Sequence, residues 1–89
     1  MIKRSFVIKS ETGLHARPAT LFINKSKSFE SDIKVMKDTK TADGKKFLQV
    51  LSLGVLKNDC ILIEISGNDE KDAMYALEKL IYNNFKNEE

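Results

Sequence analysis

The sequence predicts an α+β fold in which helices cover one side of an antiparallel sheet and water meets the other. Three observations predict it. Strand-like runs carry their apolar residues mainly on one face, a short polar connection joins two of those runs as a hairpin, and two longer stretches repeat apolar residues at a helical period. The order reads strand, helix, strand, strand, helix, strand, helix, and it does not dictate how the strands are arranged within the sheet.

The first strand is Ile2 to Ile8, with Ile2, Phe6 and Ile8 at period two and Glu11-Thr12-Gly13 breaking the pattern. From Ala16 the spacing changes to Ala19, Phe22 and Ile23, a helical repeat. Pro18 falls in the first turn, where a missing N–H costs nothing. Ile33 and Val35 alternate with Lys34, and Thr39 to Asp43 returns beside them as the second arm of a hairpin. A short helix is expected from Phe47, with Gly54 as its stop. Cys60 to Ile65 is nearly all apolar or β-branched and reads as a central strand. Asn68 or Asp69 is placed to cap the last helix, whose apolar face is Ala73, Met74, Leu77, Leu80 and Ile81. Asn87-Glu88-Glu89 is expected to fray.

Residues 1–89 are expected to form a single domain. A chain this short buries only about 60–65% of the surface it exposes when unfolded, so one core serves every element. A net charge of +2 supplies no strong field for nucleic acid. The lone Cys60 cannot close an internal disulfide, and Met1 to Ser10 lacks the apolar stretch of a signal peptide, so a cytoplasmic protein is expected. Phe47 to Leu56 is about half the roughly 20 residues of a membrane helix, so no membrane insertion is expected.

One constellation carries chemistry. The sole histidine lies in Gly13-Leu14-His15-Ala16-Arg17-Pro18-Ala19, between the first strand and the first helix. A helix start exposes backbone N–H groups without partners, here those of Ala16, Arg17 and Ala19, and carries about half a positive elementary charge. Arg17 adds a guanidinium able to give two parallel hydrogen bonds to a phosphoryl group. A neutral imidazole has a lone pair with which to attack phosphorus. A histidine at a helix start is by itself an ordinary cap or solvated ring; the neighbouring glycine, arginine and proline make the phosphate reading specific. No zinc set, Gly-rich phosphate loop or serine triad can be assembled, and Glu64, Glu70 and Asp72 read as solvated faces and a helix start. No metal or cofactor is expected.

At these residues the chain resembles the HPr family, the histidine-containing phosphocarriers of the bacterial phosphoenolpyruvate:sugar phosphotransferase system. The likeness extends through length, element order and Leu51-Ser52-Leu53-Gly54. It implies an open-faced β-sandwich of order βαββαβα, with a four-stranded antiparallel sheet and three helices on one face. It further implies a carrier and not a turnover enzyme. His15 would accept a phosphoryl group on Nδ1 from enzyme I and pass it to a histidine on the A domain of an enzyme II sugar permease. Arg17 would assist, with the backbone of Ala16 and Arg17 holding the phosphate, and a monomer is expected.

The resemblance departs at Lys46, which stands where many relatives carry a regulatory serine. Lysine cannot take that phosphate, so the branch in which a modified carrier binds a transcription regulator is expected to be missing. A cation there opposes the helix field by about 0.3–1 kcal/mol. Lys46 is expected to meet an acidic patch on a partner, with Lys27 and Lys45 helping to steer it. At 100° per residue Leu53, Val50, Phe47, Leu51 and Leu48 cover an arc of roughly 220°, more than packing on a sheet requires. The resemblance assigns Phe47, Leu48 and Leu51 to the docking face. Two alternatives stay open: a carrier in a nitrogen-related relay or one serving transcription or metabolic regulators, and an interaction module that binds partners without obligatory phosphotransfer.

Overall fold

The computed structural model describes residues 1–86. Its elements are β1 (Ile2–Val7), α1 (Ala16–Lys27), β2 (Asp32–Lys37), β3 (Lys40–Asp43), α2 (Phe47–Ser52), β4 (Cys60–Ser66) and α3 (Glu70–Tyr82). The strands form one antiparallel sheet in the order β1-β4-β2-β3. With the helices packed on one face, this is the open-faced β-sandwich that the sequence predicts.

β4 suits its inner position because it holds neither proline nor glycine and three isoleucines at period two. Ile61, Ile63 and Ile65 are buried, and they meet Phe6 of β1 and Ile33 and Val35 of β2 beneath Phe22, Met74 and Leu77 of the helices. Each such side chain contributes about 1.5–3 kcal/mol, an upper bound because unfolded chains already bury some apolar area. On the opposite face Lys3, Glu64 and Lys34 share one row across three strands, and Lys3 Nζ lies 3.4 Å from Glu64 Oε2. Opposite charges facing each other across strands support the register.

Four details differ from the sequence reading. Asp69 does occupy the N-cap of α3, but its side chain makes no cap hydrogen bond. Its carboxylate instead accepts from the N–H of Glu30 at 2.9 Å, the N–H of Ser31 at 3.0 Å and the Ser31 hydroxyl, tying two loops together. β3 begins at Lys40, since Asp38 has a φ of 55° and the chain turns through Asp38-Thr39. Cys60, though in an apolar run, is exposed on the open face opposite Val7. Finally, Phe85 folds back into the core through two consecutive left-handed residues, Asn84 and Phe85. The expected fraying of Asn87-Glu88-Glu89 lies outside the described residues. Among the described residues no helix is long and apolar enough to cross a membrane.

Candidate functional site

The loop before α1 is held from both sides. The Ser10 hydroxyl donates to the Gly13 carbonyl, and the Ser10 carbonyl accepts from the Gly13 N–H at 3.0 Å. Gly13 has a φ of 66°, and a Cβ there would lie 2.1 Å from the Val55 carbonyl oxygen, so only glycine permits this approach. The approach brings the Leu14 N–H to the Val55 carbonyl at 3.0 Å, while the Leu14 side chain is fully buried. His15 follows this anchor directly, half-buried with access to solvent.

His15 is the N-cap of α1, in extended conformation, and its side chain makes no cap hydrogen bond. The imidazole is therefore not used up on the helix's own amides. Ala16 has a φ of 54°, a left-handed conformation costing about 1–2 kcal/mol in a residue with a Cβ. Such strain persists only where the surroundings impose it, and nothing in an alanine signals it in the sequence. Among the described residues nothing accepts from the N–H of Ala16 or Arg17, and the first turn of α1 holds no acidic residue. Arg17 is exposed, and among the described residues it pairs with no carboxylate. The start of α1 thus offers a ring nitrogen, free amides and a free guanidinium, a combination matched to a phosphoryl group.

α2, which carries the residues that the resemblance assigns to docking, packs against α1 and β3. Val50 and Leu53 are buried beneath it. Phe47 is 40% exposed and Leu48 77%, with Leu51 half-buried beside them. The apolar arc is thus split between core and surface as its width predicts. Lys46 is the exposed N-cap of α2 and has no ion pair among the described residues. Lys45 corrects an expectation: its ammonium donates to the Phe29 carbonyl at 2.7 Å, so it is tied down rather than free to steer a partner. Lys27 ends α1, about 18 Å along the helix axis from His15, too far to belong to this patch.

The residues overlooked in the sequence lie after α2. Leu56 is 60% exposed, extending the apolar surface. Lys57 Nζ lies 2.8 Å from Glu11 Oε2, which joins this loop to the one bearing His15 and holds the Glu11 carboxyl below its ordinary range. Lys37 Nζ donates to the Gly54 carbonyl at 2.9 Å. The only hint in the sequence is that Leu56 and Lys57 directly precede the Asn58-Asp59 break. Among the described residues no group of three or more metal-ligating side chains gathers.

Comparison with known proteins identifies the family. The PTS-HPr family, described as "PTS HPr component phosphorylation site", matches residues 2–83. HPr-C-His from Thermoanaerobacter tengcongensis is 39% identical with a TM-score of 0.95, each chain covered at 100%. The phosphocarrier protein HPr from Bacillus anthracis is 31% identical over 90% of this chain and 95% of its own, with a TM-score of 0.86. A T. tengcongensis HPr described as a dimer is 39% identical over 98% and 100%, with a TM-score of 0.79. A motif around one histidine, a sheet in this order and a family match spanning every strand and helix converge: the chain belongs to the HPr family of phosphocarriers of the phosphotransferase system.

Proposed function

We propose that this protein takes a phosphoryl group from phosphorylated enzyme I on Nδ1 of His15 and passes it to a histidine on the A domain of a sugar-specific enzyme II. The neutral ring attacks phosphorus, a nitrogen–phosphorus bond forms, and the bond from phosphorus to the donor breaks. The N–H groups of Ala16 and Arg17 and the Arg17 guanidinium hold the resulting charge. Transfer onward reverses these steps, and the chain serves as substrate in both. Residues 1–89 act as one carrier domain, docking both partners through Phe47, Leu48 and Leu51.

The observation that carries this reading is the unfinished start of α1. Its cap side chain makes no cap bond, its first amides lack acceptors, and its arginine lacks a carboxylate among the described residues. The test is incubation with phosphoenolpyruvate and enzyme I. An acid-labile, base-stable phosphate that disappears in His15→Ala supports the carrier; its absence from the unaltered protein refutes it.

Lys46 supports a second reading, that the carrier operates without seryl regulation. An exposed ammonium occupies the α2 N-cap, where a hydroxyl would be needed. Phosphorylation at that cap by a carrier-directed kinase would contradict this, and a rate with enzyme I that ignores salt in Lys46→Glu would remove the proposed acidic contact.

A further inference from the structure

We propose that Lys37 is a positioning residue for phosphotransfer at His15, acting through the loop between α2 and β4. The inference rests on the carrier reading above. Lys37 ends β2 and is half-buried. Its ammonium donates to the Gly54 carbonyl at 2.9 Å and lies 3.1 Å from Asp59 Oδ2. That same carboxylate oxygen accepts from the Leu56 N–H at 2.8 Å, while the Asp59 N–H donates to the Leu56 carbonyl at 3.0 Å. One cation therefore grips both ends of a loop whose middle is closed by Asp59.

The loop matters because of what it supports. Gly54, with a φ of 69°, is the left-handed residue that ends α2, so its carbonyl faces out of the helix and needs an outside donor. Next in the chain, Val55 is fully buried and offers the carbonyl that accepts from Leu14, the residue before His15. The path runs from the ammonium to Gly54, to Val55, to Leu14 and so to the phosphorylated ring. Backbone hydrogen bonds also join the two loops, from Ile8 N–H to the Asp59 carbonyl at 2.9 Å and from Asn58 N–H to the Ile8 carbonyl at 2.6 Å, while the side-chain links, Lys57 with Glu11 and Lys9 with Asn58, are more exposed. Lys37 braces only the α2–β4 loop and is half-buried, and its charge is matched by Asp59, whose carboxyl is held below its ordinary range by the Leu56 N–H and by Lys37.

The more exposed docking residues of α2, Phe47 and Leu48, sit in its first turn, at the other end of the helix from Gly54, while the half-buried Leu51 lies nearer to it. A loosened loop should therefore disturb the presentation of His15 more than partner docking. With the protein as substrate of enzyme I, Lys37→Met is expected to lower kcat by roughly tenfold, as small misplacements do, with KM within about twofold. Lys37→Arg, which keeps a charged donor, should restore most of the rate. Hydrogen exchange at the Leu14 amide should accelerate in Lys37→Met and return toward normal in Lys37→Arg. Lys37→Gln replaces the Met variant if circular dichroism finds the latter unfolded.

An unchanged kcat in Lys37→Met, an equal loss in Lys37→Arg, or a loss with unaltered Leu14 exchange overturns the proposal. If the unaltered protein is not phosphorylated, the carrier reading itself fails. A phosphorylated unaltered protein with an indifferent Lys37→Met removes only the role of Lys37.

Discussion

α1 and α3 are helices of similar length, 12 and 13 residues, whose first turns differ in charge. α3 opens with Glu70 and Asp72 in its first turn, and the Glu70 carboxylate accepts from the Gly67 N–H at 3.0 Å while pairing with the N-terminal ammonium at 3.2 Å. α1 opens with no acid, a histidine that makes no cap bond, an arginine and a left-handed alanine. Neither N-cap side chain makes a cap hydrogen bond, so the difference is one of charge: acids of the first turn offset the helix field in α3, and none does so in α1. The same helix field is thus met by carboxylates in α3 and left without them in α1, the difference on which the proposed carrier role rests.

The sharpest way to break this contrast is to empty the open start. His15→Ala is expected to abolish the acid-labile phosphate formed with enzyme I while changing stability by less than about 0.5 kcal/mol, because no hydrogen bond of the ring is lost. Urea unfolding beside the phosphorylation assay checks both halves.

Arg17 offers the next largest effect. Arg17→Met should slow phosphorylation by about 100-fold, the usual scale for removing one donor to developing charge. Arg17→Glu should make the start of α1 resemble that of α3, raising stability by about 0.3–1 kcal/mol while phosphorylation is lost. A less stable Arg17→Glu would show that the start of α1 is not unfinished in the sense described.

Gly13→Ala tests whether the loop behind His15 is as tight as its geometry indicates. A Cβ 2.1 Å from the Val55 carbonyl at a φ of 66° must displace backbone. A loss of about 2 kcal/mol or more in denaturant unfolding is expected. Leu48→Ala should behave differently, raising KM for enzyme I about tenfold with stability unchanged, since the side chain is 77% exposed.

The smallest effect concerns pH. Lys57 lowers the pKa of Glu11, the Leu56 N–H with Lys37 that of Asp59, the Ser31 hydroxyl with the Glu30 N–H that of Asp69, and the Gly67 N–H with the N-terminal ammonium that of Glu70. All four therefore bind protons more readily in the unfolded chain. Their stabilisation is complete above the unfolded carboxylate range and is lost as pH falls through about 4 and below. Thermal unfolding should show that decline, and Asp69→Asn should make it shallower. Stability that rises toward acid would contradict the assignment.

What could be read from the sequence was what depends on neighbours along the chain. Period-two isoleucines marked β4, the helical repeat marked α1 and α3, and Gly54 marked the end of α2. The apolar arc of α2 was too wide to bury, which foretold that part of it is exposed; the resemblance named Phe47, Leu48 and Leu51, of which Leu51 is half-buried. Contacts between distant segments could not be read. Strand order, the reach of Asp69 to Ser31 across 38 residues and the capture of Lys45 by Phe29 depend on which surfaces meet after folding. The left-handed Ala16 was hidden for another reason: alanine favours a regular helix, and only the packed loop before it compels another φ.

The central claim is that the amides opening α1 receive the phosphoryl group. Its most direct test is to compare amide proton shifts before and after phosphorylation in a nitrogen-15-labelled protein. Large downfield movements at Ala16 and Arg17, with the α3 amides still, are predicted. Phosphorylated protein in which the Ala16 and Arg17 amides do not move would contradict the account.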